Sequence, residues 1–411
     1  MSARIMRWAM LPVAASLVLA AGLVPANAGT VSGWRISEVL SDPSASLQSM
    51  ATSGPGNAVT AGTTVSSLVV QQWDGSAWQA VAPPAGFVNL TSASVNVSAA
   101  GTSAADNTWL FAEKSQNSTT EYALKWNGSA WTVFKLSSKN MVLGTAVFGR
   151  GNVWEFGQKP GSGANLGYGP AWVLHYDGRA WHPVTVPATP VSVSAPATTD
   201  IWALGPSAAT VNKPKQVTVA VHWNGSSWHT LALPKLSPVD GQPWVPDGIV
   251  ARSARQVWVE ETVAVSPGTG TGPPGVTLLH WNGKTWAVAA HDLKHHYSPG
   301  LTSDGHGGFW LVSDTLSRPA GHIIHYASGR WSRQPAPTES GFTAEAGDLT
   351  LIPGTTSVWG TGALMAISTG TAKADIIKHG PDRPAVAAPP ARWAGSGAAR
   401  SGGTGCCRRT G

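Results

Sequence analysis

Residues 191–233 read VSVSAPATTDIWALGPSAATVNKPKQVTVAVHWNGSSWHTLAL. Four segments inside this stretch, VSVSAP, DIWALG, VTVAVHW and SWHTLAL, are rich in β-branched and aromatic residues, as strands are. Asn224-Gly225 stands between the aromatic flanks Trp223 and Trp228. Asn-Gly in that setting predicts a tight hairpin in which both turn residues take positive φ. A short Ala197-Thr-Thr turn links the first two segments. The stretch therefore predicts one antiparallel unit of four strands, lettered a to d in chain order.

The same unit recurs along the chain. Its c–d hairpin appears as Trp73-Asp-Gly-Ser-Ala-Trp78, Trp126-Asn-Gly-Ser-Ala-Trp131, Tyr176-Asp-Gly-Arg-Ala-Trp181 and Trp281-Asn-Gly-Lys-Thr-Trp286, with a degenerate copy at Tyr326-Ala-Ser-Gly-Arg-Trp331. Between the copies a second tryptophan marks strand b: Trp109, Trp154, Trp202, Trp258, Trp310 and Trp359. Neighbouring members of each series are 45 to 58 residues apart. Counting Trp34, 17 of the 21 tryptophans occupy repeat slots, which assigns them to packing rather than to ligand stacking. Four-stranded units at this period are the blades of a β-propeller.

The count closes at seven. Trp34-Arg-Ile36 matches strand d but has no blade before it, and the last unit stops after Ile376-Ile-Lys378 in strand c. Pairing the two ends completes the last blade and removes exposed sheet edges. The expected fold is thus all-β: a seven-bladed propeller of four-stranded antiparallel blades, closed by its terminal segments. Six blades with an irregular start are the alternative, because Val59-Thr60 in the first blade lacks the strand-b tryptophan.

The pairing of Asp200-Ile-Trp-Ala-Leu-Gly205 with His222-Trp-Asn-Gly-Ser-Ser-Trp228 resembles kelch-type repeats, and more closely the tandem repeats of secreted actinobacterial propeller proteins. The resemblance spans Trp34 to His379. It lacks the double glycine that follows strand b in kelch repeats, so kelch-type adaptor roles are not implied. It implies the fold and no defined chemistry.

Length and composition fit this reading. The 411 residues are 42% hydrophobic and only 12% charged, about half the ~25% charged share usual for soluble domains. Residues 1–28 read as a signal peptide. Arg4 and Arg7 precede an apolar run, and Ala26-Asn-Ala28 supplies a cleavage site. The expectation is an extracellular protein with no membrane span after cleavage. Residues 381–411 form a basic tail rich in Gly, Ala and Pro, with no apolar periodicity, and are expected to be disordered. Setting both ends aside reduces the net charge of +6 to 20 basic and 20 acidic residues in the propeller region, 29–380. A neutral body removes the main support for nucleic-acid binding. Both cysteines, Cys406 and Cys407, lie in the tail, so neither a disulfide framework nor a thiolate metal cage is available to the fold. A copper centre built on a cross-linked Tyr–Cys pair is excluded for the same reason.

In an up-and-down blade the a–b and c–d turns lie on one face, and the b–c and d–a loops on the other. The first set is short and the second long and variable, so a ligand site is expected on the second face. Segment 233–248 carries Asp240, Trp244 and Asp247. Segment 158–172 carries Tyr168 and Trp172, and segment 290–300 carries Tyr297. Aromatic faces beside carboxylates suit a sugar ring, which makes these six the candidate ligand residues. His291 and His295 are candidate metal ligands without a supporting carboxylate pattern; no cofactor is expected. Were the chain a glycoside hydrolase or lyase of sialidase-like type, Glu113, Glu261 and Asp314 would be its candidate acids. Thr302-Ser-Asp-Gly305 resembles an Asp box without its second glycine at the required spacing. The expectation is a non-catalytic, monomeric binding propeller for carbohydrate or a surface protein.

Overall fold

A computed structural model describes residues 33–90, 94–115, 119–138, 141–161, 168–211, 213, 215–264, 275–293, 297–313, 322–366 and 371–381. The signal-peptide and tail segments lie outside the described residues, as do His295 and Asp314. Seven antiparallel sheets make up the propeller. Six are continuous in sequence: 46–80, 94–138, 141–183, 192–232, 244–292 and 297–335. The seventh joins Phe342–Leu351, Val358–Met365 and Ala372–His379 to the amino-terminal strand Trp34–Val39, with a two-residue addition at Thr338–Glu339. Trp34 pairs with His379, and Arg35 with Lys378. Both ends of the chain close the ring.

Strands b and c explain the repeat. In blade 4 the Trp202 indole donates to Asp200 Oδ1 at 2.7 Å, and His222 Nε2 lies 2.8 Å from the same oxygen. The two rings stack with centroids 4.2 Å apart. Blade 3 repeats the arrangement with Asn152, Trp154 and His175. In blades 2 and 7 a lysine takes the histidine's place, with Lys125 over Trp109 and Lys378 over Trp359. Burial lowers the pKa of His175 and of His280, so both tend toward the neutral ring that a stacked, half-buried site favours.

Each strand-b tryptophan also reaches forward. Trp109 packs on Tyr176 and Trp181 of blade 3, Trp154 on Trp223 and Trp228 of blade 4, and Trp359 on Trp73 and Trp78 of blade 1. Trp310 meets Trp34 edge-on at 5.3 Å, which seals the junction of blades 6 and 7. At the first junction, where Val59 replaces the tryptophan, a cluster of aliphatic residues with Trp131 does the same work. Blade 1 is complete without its tryptophan.

The c–d turn departs from the expected geometry. Trp223 pairs directly with Trp228, so the loop holds four residues and not two. Asn224 Oδ1 accepts from the backbone N–H groups of Ser226 and Ser227, and of the two turn residues only Gly225 has positive φ. Asp74, Asn127, Asp177 and Asn282 do likewise. The side-chain oxygen, rather than tolerance of a left-handed backbone, selects Asn or Asp here. The two-residue turn occurs in the degenerate copy, where Ala327 pairs with Arg330 and both Ser328 and Gly329 have positive φ.

Candidate functional site

The strand-a segments of all seven blades line a central channel of about 1290 Å³. Its wall is mostly Ser, Thr, Ala and Gly, with Asp247, Arg252 and Asp348 as the charged lining residues. An innermost strand has an open edge, and side chains of neighbouring blades satisfy part of it. Gln48 Oε1 accepts from Val97 N–H, Ser192 Oγ from Ile249 N–H, and an Asp348 carboxylate oxygen from Met50 N–H.

Against this regular background the upper part of blade 5 stands apart. Strand a is bulged between Pro246 and Gly248, as it is at the same place in blades 1, 2, 3 and 7, and here the bulge residue is Asp247. Opposite the bulge, Glu261 pairs with Pro246 and Glu260 with Gly248. Counting two residues on from the strand-b tryptophan, or from Val59 in blade 1, gives Ala61, Phe111, Phe156, Leu204, Val312 and Thr361 in the other blades. Blade 5 has Glu260 in that slot. Its side chain is fully buried; Oε2 accepts from Gly300 N–H at 3.4 Å, and Oε1 has no partner.

The Asp247 charge acts on both glutamates. Burial raises the Glu260 pKa well above the ordinary carboxylate range, and the charge of Asp247 raises it further. Burial and then Asp247 bring Glu261 up to about 7. Burial brings Asp247 up to about 6, opposed by a short hydrogen bond from the Thr262 hydroxyl. Tyr168, from the b–c loop of blade 3, lies near enough to Asp247 that this charge adds to burial in raising its phenol. That loop leans on blade 4 through the Thr189 hydroxyl, which donates to Gly169 C=O at 2.9 Å.

Glu261 and Tyr168 are thus brought near Asp247, which lines the channel on the face of the long loops. Trp244 is on the same face but outside the channel wall. Its indole donates to Ser237 C=O at 2.8 Å, and its ring approaches His291 at 6.5 Å. Asp240 occupies the exposed tip of a two-residue turn with φ of 49°, closed by the mutual hydrogen bonds of Val239 and Gln242. Trp172 carries Lys159 over its ring at 5.3 Å. His291 Nδ1 is 2.8 Å from the Thr277 hydroxyl. Tyr297 begins strand a of blade 6, and its side chain is outside the described residues. Among the described residues no group of three or more His, Cys, Asp or Glu is arranged to hold a metal ion.

Glu113 belongs elsewhere. It pairs with Glu121 across strands b and c of blade 2 and raises the pKa of Glu121 together with Glu155 of blade 3. It follows its strand-b tryptophan by one position more than Glu261 follows Trp258, so strand alternation directs the two acids to opposite faces of their blades. Asp304 of the Asp-box-like segment serves structure. Burial pushes its pKa up, but hydrogen bonds from His325 and from the His306 and Gly308 N–H groups hold it down at about 2.

Glu260 was not singled out from sequence. The signal was present: alignment of the repeats on the strand-b tryptophan exposes an acid in a slot that is apolar in five of the other six blades. The channel itself leaves no motif, because its wall is made of small residues common to every blade.

No protein-family model and no curated protein matches the chain. Among solved structures it is similar to YCF48 from Cyanidioschyzon merolae, at 13% identity and TM-score 0.49, covering 85% of this chain and 100% of that one. It is similar to the SapL1 lectin in complex with alpha methyl fucoside, at 11% identity and TM-score 0.42, over 72% and 96% of the two chains. An α-L-arabinofuranosidase from Fusarium graminearum aligns at 12% identity and TM-score 0.42, over 84% and 96%. Similarity at this level carries no functional argument.

Proposed function

We propose that this chain is a secreted, non-catalytic binding propeller of the kelch-like tandem-repeat kind, which takes a carbohydrate into the channel from the long-loop face and holds it at blade 5. One observation carries the reading: Asp247 lines an open cavity, and the buried Glu260 and Glu261, which break the repeat, stand opposite it across strands a and b. Hydroxyl-rich ligands suit a wall of Ser and Thr hydroxyls with carboxylate acceptors and a phenol beside them. The long-loop face also supplies half-buried aromatic side chains, Trp244 and Trp172, beyond the channel rim. A glycan array probed with the full chain, followed by calorimetry, tests the proposal. A saturable glycan whose binding is lost in Asp247→Asn at unchanged melting temperature supports it. Silence on the array, with capture of a single cell-surface protein instead, overturns it.

Glycoside hydrolysis is the second reading, favoured by the position of Asp247 and Glu261 near neutrality, where an acid and a base are both effective. Turnover of an aryl glycoside that disappears in Glu261→Gln would replace the binding reading with this one.

A further inference from the structure

We propose that the acidic sector of blade 5 receives a protonated amine, so that the ligand is an amino sugar with a free ammonium group. This rests on the carbohydrate reading above and narrows it.

Among the described residues Asp247, Glu260 and Glu261 form no ion pair; the charge that acts on both glutamates is another carboxylate. Arg252, the cation of the channel wall, stands farther down the same strand. It donates to the Ser303 hydroxyl at 2.8 Å and to Gly308 C=O at 3.3 Å, with Asp304 at 3.7 Å.

The hydrogen bond that Glu260 accepts does not require an acid. Ser192 caps the backbone of the next blade with a hydroxyl, and Gln48 does so with an amide. An amide or hydroxyl would serve at blade 5 without the desolvation that raises the Glu260 pKa. The carboxyl instead leaves Oε1 buried without a partner.

Glycine backbone stands between this buried carboxyl and the channel. Gly248 and Gly300 both line the channel in front of Glu260. A Cβ on Gly248 would come within 2.7 Å of Glu260 Oε2 and 2.9 Å of Leu301 Cβ. Glu260 Oε2 therefore lies directly behind the Gly248 backbone. An ammonium group offers three donors and a charge to Asp247 at the channel wall, whereas a neutral hydroxyl offers one donor and no charge.

The test is calorimetry of the full chain with a glucosamine oligomer and with its N-acetylated counterpart of equal length. Spermidine serves as a charge-only probe and calcium chloride as a metal probe. The glucosamine oligomer is expected to bind about tenfold or more tightly than the acetylated one, with spermidine as a weak competitor. The preference should vanish in Asp247→Asn and in Glu261→Gln, each checked for an unchanged melting temperature. Equal or tighter binding of the acetylated oligomer, lost in Asp247→Asn, overturns the ammonium inference and leaves the carbohydrate reading standing. A preference for glucosamine that persists in both variants also overturns the inference, as does displacement of the oligomer by calcium. No binding of either oligomer removes both.

Discussion

Trp202 and His222 stack face to face at 4.2 Å, and both hydrogen-bond one oxygen, Oδ1 of Asp200. One carboxylate oxygen thus meets both rings. The aspartate thereby locks two rings that belong to adjacent strands. Asp200→Ala leaves two part-buried donors without an acceptor and should cost about 1–3 kcal/mol. Asp200→Asn keeps an oxygen in place and should cost less. Urea denaturation of both variants checks the order.

The seal between blades 6 and 7 is equally testable. Trp310→Ala and Trp34→Ala should each lower stability by about 3–5 kcal/mol. Their rings meet at 5.3 Å, nearly perpendicular, so a double-mutant cycle should return a coupling of about 0.5–1.5 kcal/mol. Strict additivity would show that Trp34 does not pack on blade 6 as described.

Glu121 and Glu155 give the protein a sensitivity to alkali. All four of their carboxyl oxygens are buried without partners. Burial, then the charges of Glu155 and Glu113, bring Glu121 up to about 9, and burial brings Glu155 up to about 8. Both folded pKa values lie above the ordinary 4.5, so the folded state holds these protons more tightly than the unfolded one. Stability is therefore undiminished below the unfolded value and falls as pH rises through the folded ones. The denaturation midpoint should drop between about pH 5 and about pH 9, and the drop should shrink in Glu121→Gln combined with Glu155→Gln.

The degenerate hairpin offers a gain. Ser328 sits at φ of 51° in a two-residue turn before Gly329. Asn accepts that conformation more readily than Ser. Ser328→Asn should raise stability by roughly 0.5 kcal/mol. Asn224→Asp, in a four-residue loop where either side chain supplies the acceptor, should change little. A thermal melt of each separates the two turn types.

Much of the fold was legible because the repeat rests on large side chains. Trp at strand b, Trp or Tyr at the ends of the hairpin, and the isolated Trp34 fix the blade count and the closure. The turn geometry was less legible, since Asn-Gly serves a two-residue turn and a four-residue loop for different reasons. The placement of the long b–c and d–a loops on one face follows from the blade topology. Which side chains gather there depends on the strand-a bulge, and no residue type announces that bulge: Gln48, Ser98, Leu143, Asp247 and Gly347 all occupy one. For that reason Trp244 stood out in the sequence while Glu260, hidden in a core slot, did not.

The shared seventh sheet also sets a clock. Arg35 donates to Gly380 C=O across 345 positions of sequence. During synthesis the strand Trp34–Val39 leaves the ribosome first among the propeller strands, and its partner Ala372–His379 leaves last. Every earlier blade can form while the ring is still open, yet the edge of the first-made strand stays unpaired throughout. Contacts of such long separation are slow to form. The interval between the two ends is when this chain is most exposed to mispairing, and it is set by the length of the chain itself.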